Sequence, residues 1–576
     1  MKNKPVQHIK FVATFVIASC AALLSAQSAP IARPANVLYY ADAIYYNGHV
    51  LTGENLVDGQ IRFVSALALR DGQIVAAGSD AVAMALAGPA TRKIDLNHAF
   101  VMPGFNDAHV HLGHAGMIKL QVDLTGSTSL AEMKRRIQLA ATGAPKARWL
   151  TGGGWDHTLW TDKTLPTRAE IDMVTAGHRA IFTRIDGHIA IANSAALAAA
   201  GITRATADPA GGKIDHDAQG EPTGILRESS AMALVKRLIP PPTEAERRRG
   251  LELAMADAVS HGLTSAQDNS DWEDFLVVEK MENEGKLPLR VTEWLAFDAP
   301  LDVLKQQRAA HDPSDHLLHT GMLKGFMDGS LGSKTAAMKL PYADDPGNSG
   351  LARYEQAKLN AMTKERTQEG FQIGFHAIGD RAAAMALDAY AAAGVNASLR
   401  DRIEHTQVVD PDDIPRFKSM GIVASMQPNH LLTDMRWAES RLGAERAKYS
   451  YAWSAFLKAG VPLAFGTDYP VEPVTPFRGV YAAITRKDEA GRQSFYPDSA
   501  LTIAQALYAY TQGAAHAEFS ETWKGKLSPG YAADFVILDR DITTIPPADI
   551  LKTKVIGTFV GGRQVYVGGI KAASAR

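Results

Sequence analysis

Apolar positions along the chain change period twice, dividing it into three zones. Between 36 and about 103 the apolar runs are short and split by Gly and Asp: LYYADAIYYNGHVL, SALALRDGQIVAAG and RKIDLNHAFVMPG. The Asn-Gly and Asp-Gly pairs inside them are hairpin signals between strands. From about 510 to 576 the same character returns in GYAADFVILD and VIGTFVGGRQVYVGG. Two β-rich ends around a different middle predict that the ends pair into one small sandwich. The middle, roughly 104 to 505, alternates short apolar runs with Ala-rich helical stretches. FQIGFHAIGD leads into RAAAMALDAYAAAG, and YAWSAFLKAG is followed by VPLAFGTD. Such βα alternation predicts a parallel sheet with crossover helices. Its length suits an eight-stranded barrel with additions. Residues of about 145–240 are rich in Gly, Asp and Pro and break the rhythm. They read as a segment inserted on the active-site side. No repeat of solenoid type stands out.

Composition narrows the class. The chain has 576 residues, 46% of them hydrophobic, and a formal net charge of -2. Nothing there resembles the basic surface of a nucleic-acid binder. After the N-terminus no apolar run has spanning length, so a polytopic membrane protein is not expected. The N-terminus itself has the form of an export signal. Lys2, Lys4 and Lys10 precede an apolar run from Phe11 to Ala26, and Leu24-Ser25-Ala26 or Ala26-Gln27-Ser28 offers small residues for cleavage. The alternative is an anchor that stays in place. Residues 1–26 are therefore expected to be removed, leaving an exported, periplasmic protein without a membrane span. The single cysteine, Cys20, lies in this run. Ile17-Ala18-Ser19-Cys20 resembles a bacterial lipobox, which makes a lipid anchor at Cys20 the variant reading. Either way the mature chain has no disulfide and no thiolate ligand, so any metal must be held by nitrogen and oxygen.

The strongest chemical signal is PGFNDAHVHLGH. His109 and His111 are two apart on an expected strand, which sends both to one face. An exposed polar strand face would explain such a pair equally well. The run before it, AFVMPGF, is apolar, however, and a strand buried on both faces would need a partner for two imidazoles. A metal ion supplies one. Other chemistry-bearing residues sit at or just past the ends of apolar runs: Lys324 in GMLKGFMDGS, His376 after FQIGF, His405 in RIEHTQ, and Asp468 after VPLAFGT. In a barrel these ends open onto one face. Singly, each has a bland alternative, a His bonded in the core or an Asp capping a helix. Jointly, four histidines and an aspartate at strand ends are hard to explain by packing.

These segments resemble the amidohydrolase superfamily, in particular its YtcJ-like branch, which includes the N-substituted formamide deformylases. The likeness covers nearly the whole mature chain. It runs through DGQIVAAG, PGFNDAHVHLGH, GGGWDHTLW, RIDGHIAIANSAAL, MDGSLGSKTA, FHAIGDRA, RIEHTQ, FGTDYPVEP and GKLSPGYAADFVILD. The resemblance implies an α/β fold, a distorted TIM (β/α)8 barrel with a flanking β-sandwich made from both chain ends. It implies that His109, His111, Lys324, His376, His405 and Asp468 hold two divalent ions, zinc being expected.

Lys324 needs a physical argument. An ammonium beside two dications is repelled, and burial disfavours its charge. A neutral amine can take up carbon dioxide, and the resulting carbamate is an anion able to bridge two metals, as in related families. The alternative is a lysine that pairs with Asp328. GSLGSKT is not a phosphate loop, because Ser333 separates Gly332 from Lys334.

The implied reaction is hydrolysis of a C–N bond other than a peptide bond. The substrate would be a small N-substituted amide or formamide, and Asp468 would move the proton. His188, in RIDGHIAIAN, is the residue expected to hold the carbonyl oxygen, with a structural histidine as the alternative. Asp380 and Arg381 would orient substrate or cap the following helix. Trp155, with Trp160 and His157, would wall an apolar pocket or belong to the core. A cyclic amide, ester or lactone as substrate, deamination on the same site, and a non-catalytic exported binding protein are the competing readings. A homodimer is compatible with the sequence but not read from it.

Overall fold

The computed structural model describes residues 39–145 and 148–568. The expected export segment, residues 1–26 with Cys20, lies outside them. The central zone forms eight parallel strands: β1 (Phe105–Val110), β2 (Leu263–Asp268), β3 (Arg290–Ala296), β4 (Leu318–Phe326), β5 (Ile373–Ala377), β6 (Arg402–His405), β7 (Val423–Met426) and β8 (Leu463–Phe465). Neighbours in space are neighbours in sequence from β1 to β8. The sheet then curls shut, since Asp468 N donates to His109 O at 2.8 Å and His111 N to Tyr469 O at 2.8 Å. This is a nearly closed TIM-type barrel, as the alternation of apolar strands and Ala-rich helices predicts. The β1 and β2 side chains are buried along their whole length, because helices cover one face and the barrel interior the other.

Local sequence sets the helices that close each βα unit. Glu244–Ser260 begins at a Thr243 and Glu246 capping box before β2, which satisfies N–H groups that a helix start leaves free. Asp380–Ala393 packs Ala382, Ala383, Ala386 and Leu387 inward behind β5.

Both chain ends meet in the sandwich. Its six-stranded sheet pairs Phe100–Pro103 with Phe535–Leu538, antiparallel. A four-stranded sheet of Gln73–Gly78, Ala66–Arg70, Ala43–Tyr46 and Arg92–Asp95 forms the other layer. Aromatic rings fill the space between. Phe535 and Phe559 stack at 4.4 Å, and Tyr45 meets Phe535 edge-on at 5.2 Å.

The segment after β1 is a small α/β layer of its own. Its six-stranded sheet runs from Val122–Asp123 through Leu150–Trp155 to Lys213–His216. It starts earlier than the Gly- and Pro-rich stretch of 145–240 suggests, because Val122–Asp123 is a two-residue edge strand too short to show a period. Among the described residues no helix is long and apolar enough to cross a membrane.

Candidate metal centre

All six residues of the implied ligand set line one cavity of about 400 Å³ at the C-terminal mouth of the barrel. His109 comes from β1, and His111 follows it directly. Lys324 comes from β4, His376 from β5, His405 from β6, and Asp468 lies three residues past β8. Two of them have left-handed backbone, His405 at φ 71° and Asp468 at φ 60°. Non-Gly residues adopt this at a cost and keep it where surrounding structure over-determines them. The turn lets each leave the strand period and face the mouth. Gly466 makes the approach between β8 and β1 feasible, since a Cβ there would stand 2.6 Å from His109 N.

His109, His111 and His376 each have one ring nitrogen committed to a hydrogen bond. His109 Nδ1 donates to Glu404 Oε2 at 2.7 Å. Its Nε2 lies 3.6 Å from Asp468 Oδ1. His111 Nδ1 donates to the Asn269 carbonyl at 3.0 Å, leaving Nε2 3.1 Å from the same Oδ1. His376 Nε2 donates to Gly329 O at 3.0 Å. His405 Nδ1 is buried without any hydrogen-bond partner. Lone pairs aimed at one carboxylate oxygen repel unless a cation lies among them. At this centre, among the described residues, two trios have ligand atoms mutually within 4.8 Å, His109, His111 and Asp468, and His405, His430 and Asp468. Asp468 belongs to both.

Electrostatics point the same way. Burial, with Lys324 nearby, pushes the His109 imidazole well below its ordinary range. Burial and His376 do the same to His405. Neutral imidazoles are the form that binds metal. Burial alone would raise the Asp468 carboxyl, but the imidazoles of His109, His111, His430 and His405 hold it well below the usual carboxylate range. Lys324 is 3% exposed, and burial lowers its amine to about 8 against the pull of Glu404 and Asp468. Its Nζ stands 3.2 Å from His109 Nε2. Among the described residues it has no salt-bridge partner. Asp328 does not pair with it, because that carboxylate accepts the N–H groups of Ala337, Ile378 and Gly379 at 2.8–3.1 Å. The donor set of nitrogens, one carboxylate and a buried amine without a salt-bridge partner fits divalent ions held without sulfur.

The other expected site residues sit elsewhere. Trp155 is fully buried in the inserted sheet, its indole N–H donating to Phe182 O at 3.0 Å. It packs among Leu150, Trp160 and Ile191 there, so it is core and not a wall of the metal cavity. His188 is two-thirds exposed, with Nδ1 3.0 Å from Glu228 Oε2, and it does not line the cavity. Asp380 accepts the N–H groups of Lys339 and Arg381. That is the capping role, and Arg381 projects to solvent. The actual wall is Phe326, Leu331, Ile378, Trp437 and Val471.

His430 is the residue that sequence reasoning missed. It lies on the short helix Asn429–Asp434 just past β7, with Nε2 3.0 Å from Asp468 Oδ2. The signal was available, since IVASM is an apolar run with a histidine soon after it, the same pattern as His376 after FQIGF.

A family model described as Amidohydrolase family matches residues 92–566. The Arabidopsis thaliana protein LONG AFTER FAR-RED 3 is 35% identical over 92% of each chain. YtcJ of Bacillus subtilis (strain 168) is 33% identical over 91% of this chain and 99% of its own. The N-substituted formamide deformylase of Arthrobacter pascens is 26% identical over 91% and 98%. A crystal structure of an uncharacterized metal-dependent hydrolase from Pyrococcus furiosus superposes with a TM-score of 0.73 at 29% identity, covering 87% of this chain and all of the other. Family match, full-length relatives and a histidine-rich centre at the barrel mouth agree: this chain belongs to the amidohydrolase family of metal-dependent hydrolases.

Proposed function

We propose that this amidohydrolase cleaves the C–N bond of a small, uncharged N-substituted amide, a formamide among the candidates, and that it does so outside the cytoplasm. The observation that carries the reading is the convergence of His109, His111, Lys324, His376, His405 and Asp468 on one cavity walled by Phe326, Leu331, Ile378, Trp437 and Val471. An apolar N-substituent fits that wall, where it displaces water. The deformylase named above is a relative with this class of substrate. His109, His111, Lys324, His376, His405 and Asp468 would hold two zinc ions, with Lys324 as a carbamate. When bound, such ions make water nucleophilic near neutral pH and polarise the scissile carbonyl.

The protein's own groups then move the proton. Asp468 accepts it from the attacking water and returns it to the nitrogen as the C–N bond breaks. An amide and water thus give a carboxylic acid and an amine. His430 donates to Asp468 Oδ2 and fixes the carboxylate's rotation. The apolar wall seats the substituent so that the carbonyl carbon faces the metal ligands.

The test is a hydrolysis screen of the zinc-loaded protein on N-substituted formamides, N-acyl amino acids, cyclic amides, lactones and aryl esters, read by amine or acid release. Turnover is expected on linear amides with apolar substituents. Preference for a ring substrate would replace the substrate assignment, and no turnover on any class would leave a binding protein. Export rests on the N-terminal sequence alone. Mass spectrometry of the secreted or periplasmic protein is expected to find the chain starting after Ala26 or Ser28. A start at Met1 would refute export, and an acylated Cys20 would select the lipid-anchored form.

A further inference from the structure

Beneath the metal centre the barrel interior holds a closed polar network that the reaction does not itself use. Glu404 and Arg402 lie two apart on β6, so both point into the barrel. They are essentially unexposed, at 0% and 1% of their side chains. Arg402 Nε donates to Glu404 Oε1 at 2.8 Å. Its other nitrogens donate to Gln267 Oε1 on β2, to Ala108 O on β1 at 2.8 Å and to Ser425 Oγ on β7 at 2.9 Å. Ser425 in turn donates to Glu404 Oε2 at 2.7 Å. That same oxygen accepts the His109 Nδ1–H at 2.7 Å. Four strands are thus tied to one carboxylate, and the carboxylate is tied to one metal-ligand ring.

We propose that Glu404, held by Arg402 and Ser425, is the positioning residue that sets the tautomer and rotation of His109, so that Nε2 presents its lone pair to the metal site. The physical reason is donor accounting. A neutral imidazole carries one N–H, and Glu404 Oε2, with no proton to give, compels that N–H onto Nδ1. Nε2 is then a lone pair 3.2 Å from Lys324 Nζ and 3.6 Å from Asp468 Oδ1. A buried ion pair is costly unless it is fully hydrogen-bonded. Every polar atom of this one has partners, and the network's one connection to the metal centre is through His109. Groups that orient a ligating histidine typically govern about 10–100-fold in metal affinity. The inference rests on the two-ion reading above, which the same experiment examines first.

The experiment strips the full-length protein of metal and titrates Co²⁺ back against a competing chelator, reading the cobalt absorption bands, with thermal unfolding recorded for each variant. Wild type is expected to take up two ions. If it takes up none, the metal reading itself fails, and the role of Glu404 falls with it. Glu404→Gln keeps the shape, but its amide can turn an N–H toward His109 and force the proton to Nε2. One ion is expected to bind about 10–100-fold more weakly with altered bands, while the other stays within a few-fold. Glu404→Asp should recover part of the loss. Ser425→Ala, which leaves the histidine's own bond in place, should lose less than about tenfold. Wild-type affinity and spectrum in Glu404→Gln overturns the proposal. So does a lowered unfolding midpoint with unchanged cobalt binding, because that is a purely structural effect. Should Glu404→Gln not fold, Glu404→Asp decides: intermediate affinity supports the role and wild-type affinity overturns it.

Discussion

Asp468→Asn should lower kcat by about 10²–10⁴-fold, the range over which a positioned acid–base group contributes, and leave the barrel folded. The substitution keeps the side chain's shape. The backbone bond from residue 468 N to His109 O, which helps close the barrel, does not involve the carboxylate. What changes is chemistry. An amide cannot accept a proton from water at neutral pH. It also brings in an N–H that either faces the His430 Nε2–H, which the carboxylate accepts at 3.0 Å, or ties up the His111 Nε2 lone pair at 3.1 Å. Asp468 is shared by both ligand trios, so metal content is expected to fall as well. Steady-state rates must therefore be compared at matched, measured occupancy of zinc. If the variant with full metal content turns over within tenfold of wild type, Asp468 is a ligand only, and another group carries the proton.

The barrel was legible from its alternation of apolar strands and Ala-rich helices, and the residues that line its mouth stood out at or just past the ends of apolar runs, although only the family resemblance made them a ligand set. A strand buried on both faces has no reason to carry His109 or His376 unless they meet something. Period-two geometry likewise explains why Arg402 and Glu404 share the barrel interior. The quoted RIEHTQ drew attention only to His405, whose left-handed backbone at φ 71° breaks that period. The apolar wall of the cavity was not legible. Trp155, His157, Trp160 and His188 cluster in a Gly-rich insert, and composition says nothing about which way an aromatic ring points. In the fold Trp155 and Trp160 stay with their own sheet, 6.3 Å apart, while His188 turns to Glu228. The wall came instead from Phe326, Leu331, Ile378, Trp437 and Val471, apolar residues no different in sequence from core. Only tertiary packing sorts them from the many apolar residues that remain inside.

Substitutions at Lys324 test the proposal that the centre holds two bridged ions. Its amine is buried, has a histidine nitrogen at 3.2 Å and is lowered to about 8. Burial thus leaves more of it neutral, and open to carbon dioxide, near pH 7 than an ordinary lysine would be. If Lys324 carries the proposed carbamate, Lys324→Ala would remove the anion that His109, His111, His376, His405 and Asp468 would share between two ions. Activity is expected to drop to background, and one ion to bind at least about 100-fold more weakly, beyond what loss of an orienting neighbour alone would do. Formate, acetate or bicarbonate at high concentration should restore part of the rate, since each brings a small carboxylate-like anion into the space vacated. Lys324→Arg should gain nothing from them. Guanidinium stays positive and cannot be carbamylated, so it repels the ions that Lys324 as a carbamate would attract. Metal content and kcat for the two variants, with and without formate, give the answer. Normal occupancy and rate in Lys324→Arg would end the bridging role. Asp328 offers no substitute role for the lysine, since its oxygens already accept three backbone N–H groups. The centre would then be a single-ion site on His109, His111 and Asp468.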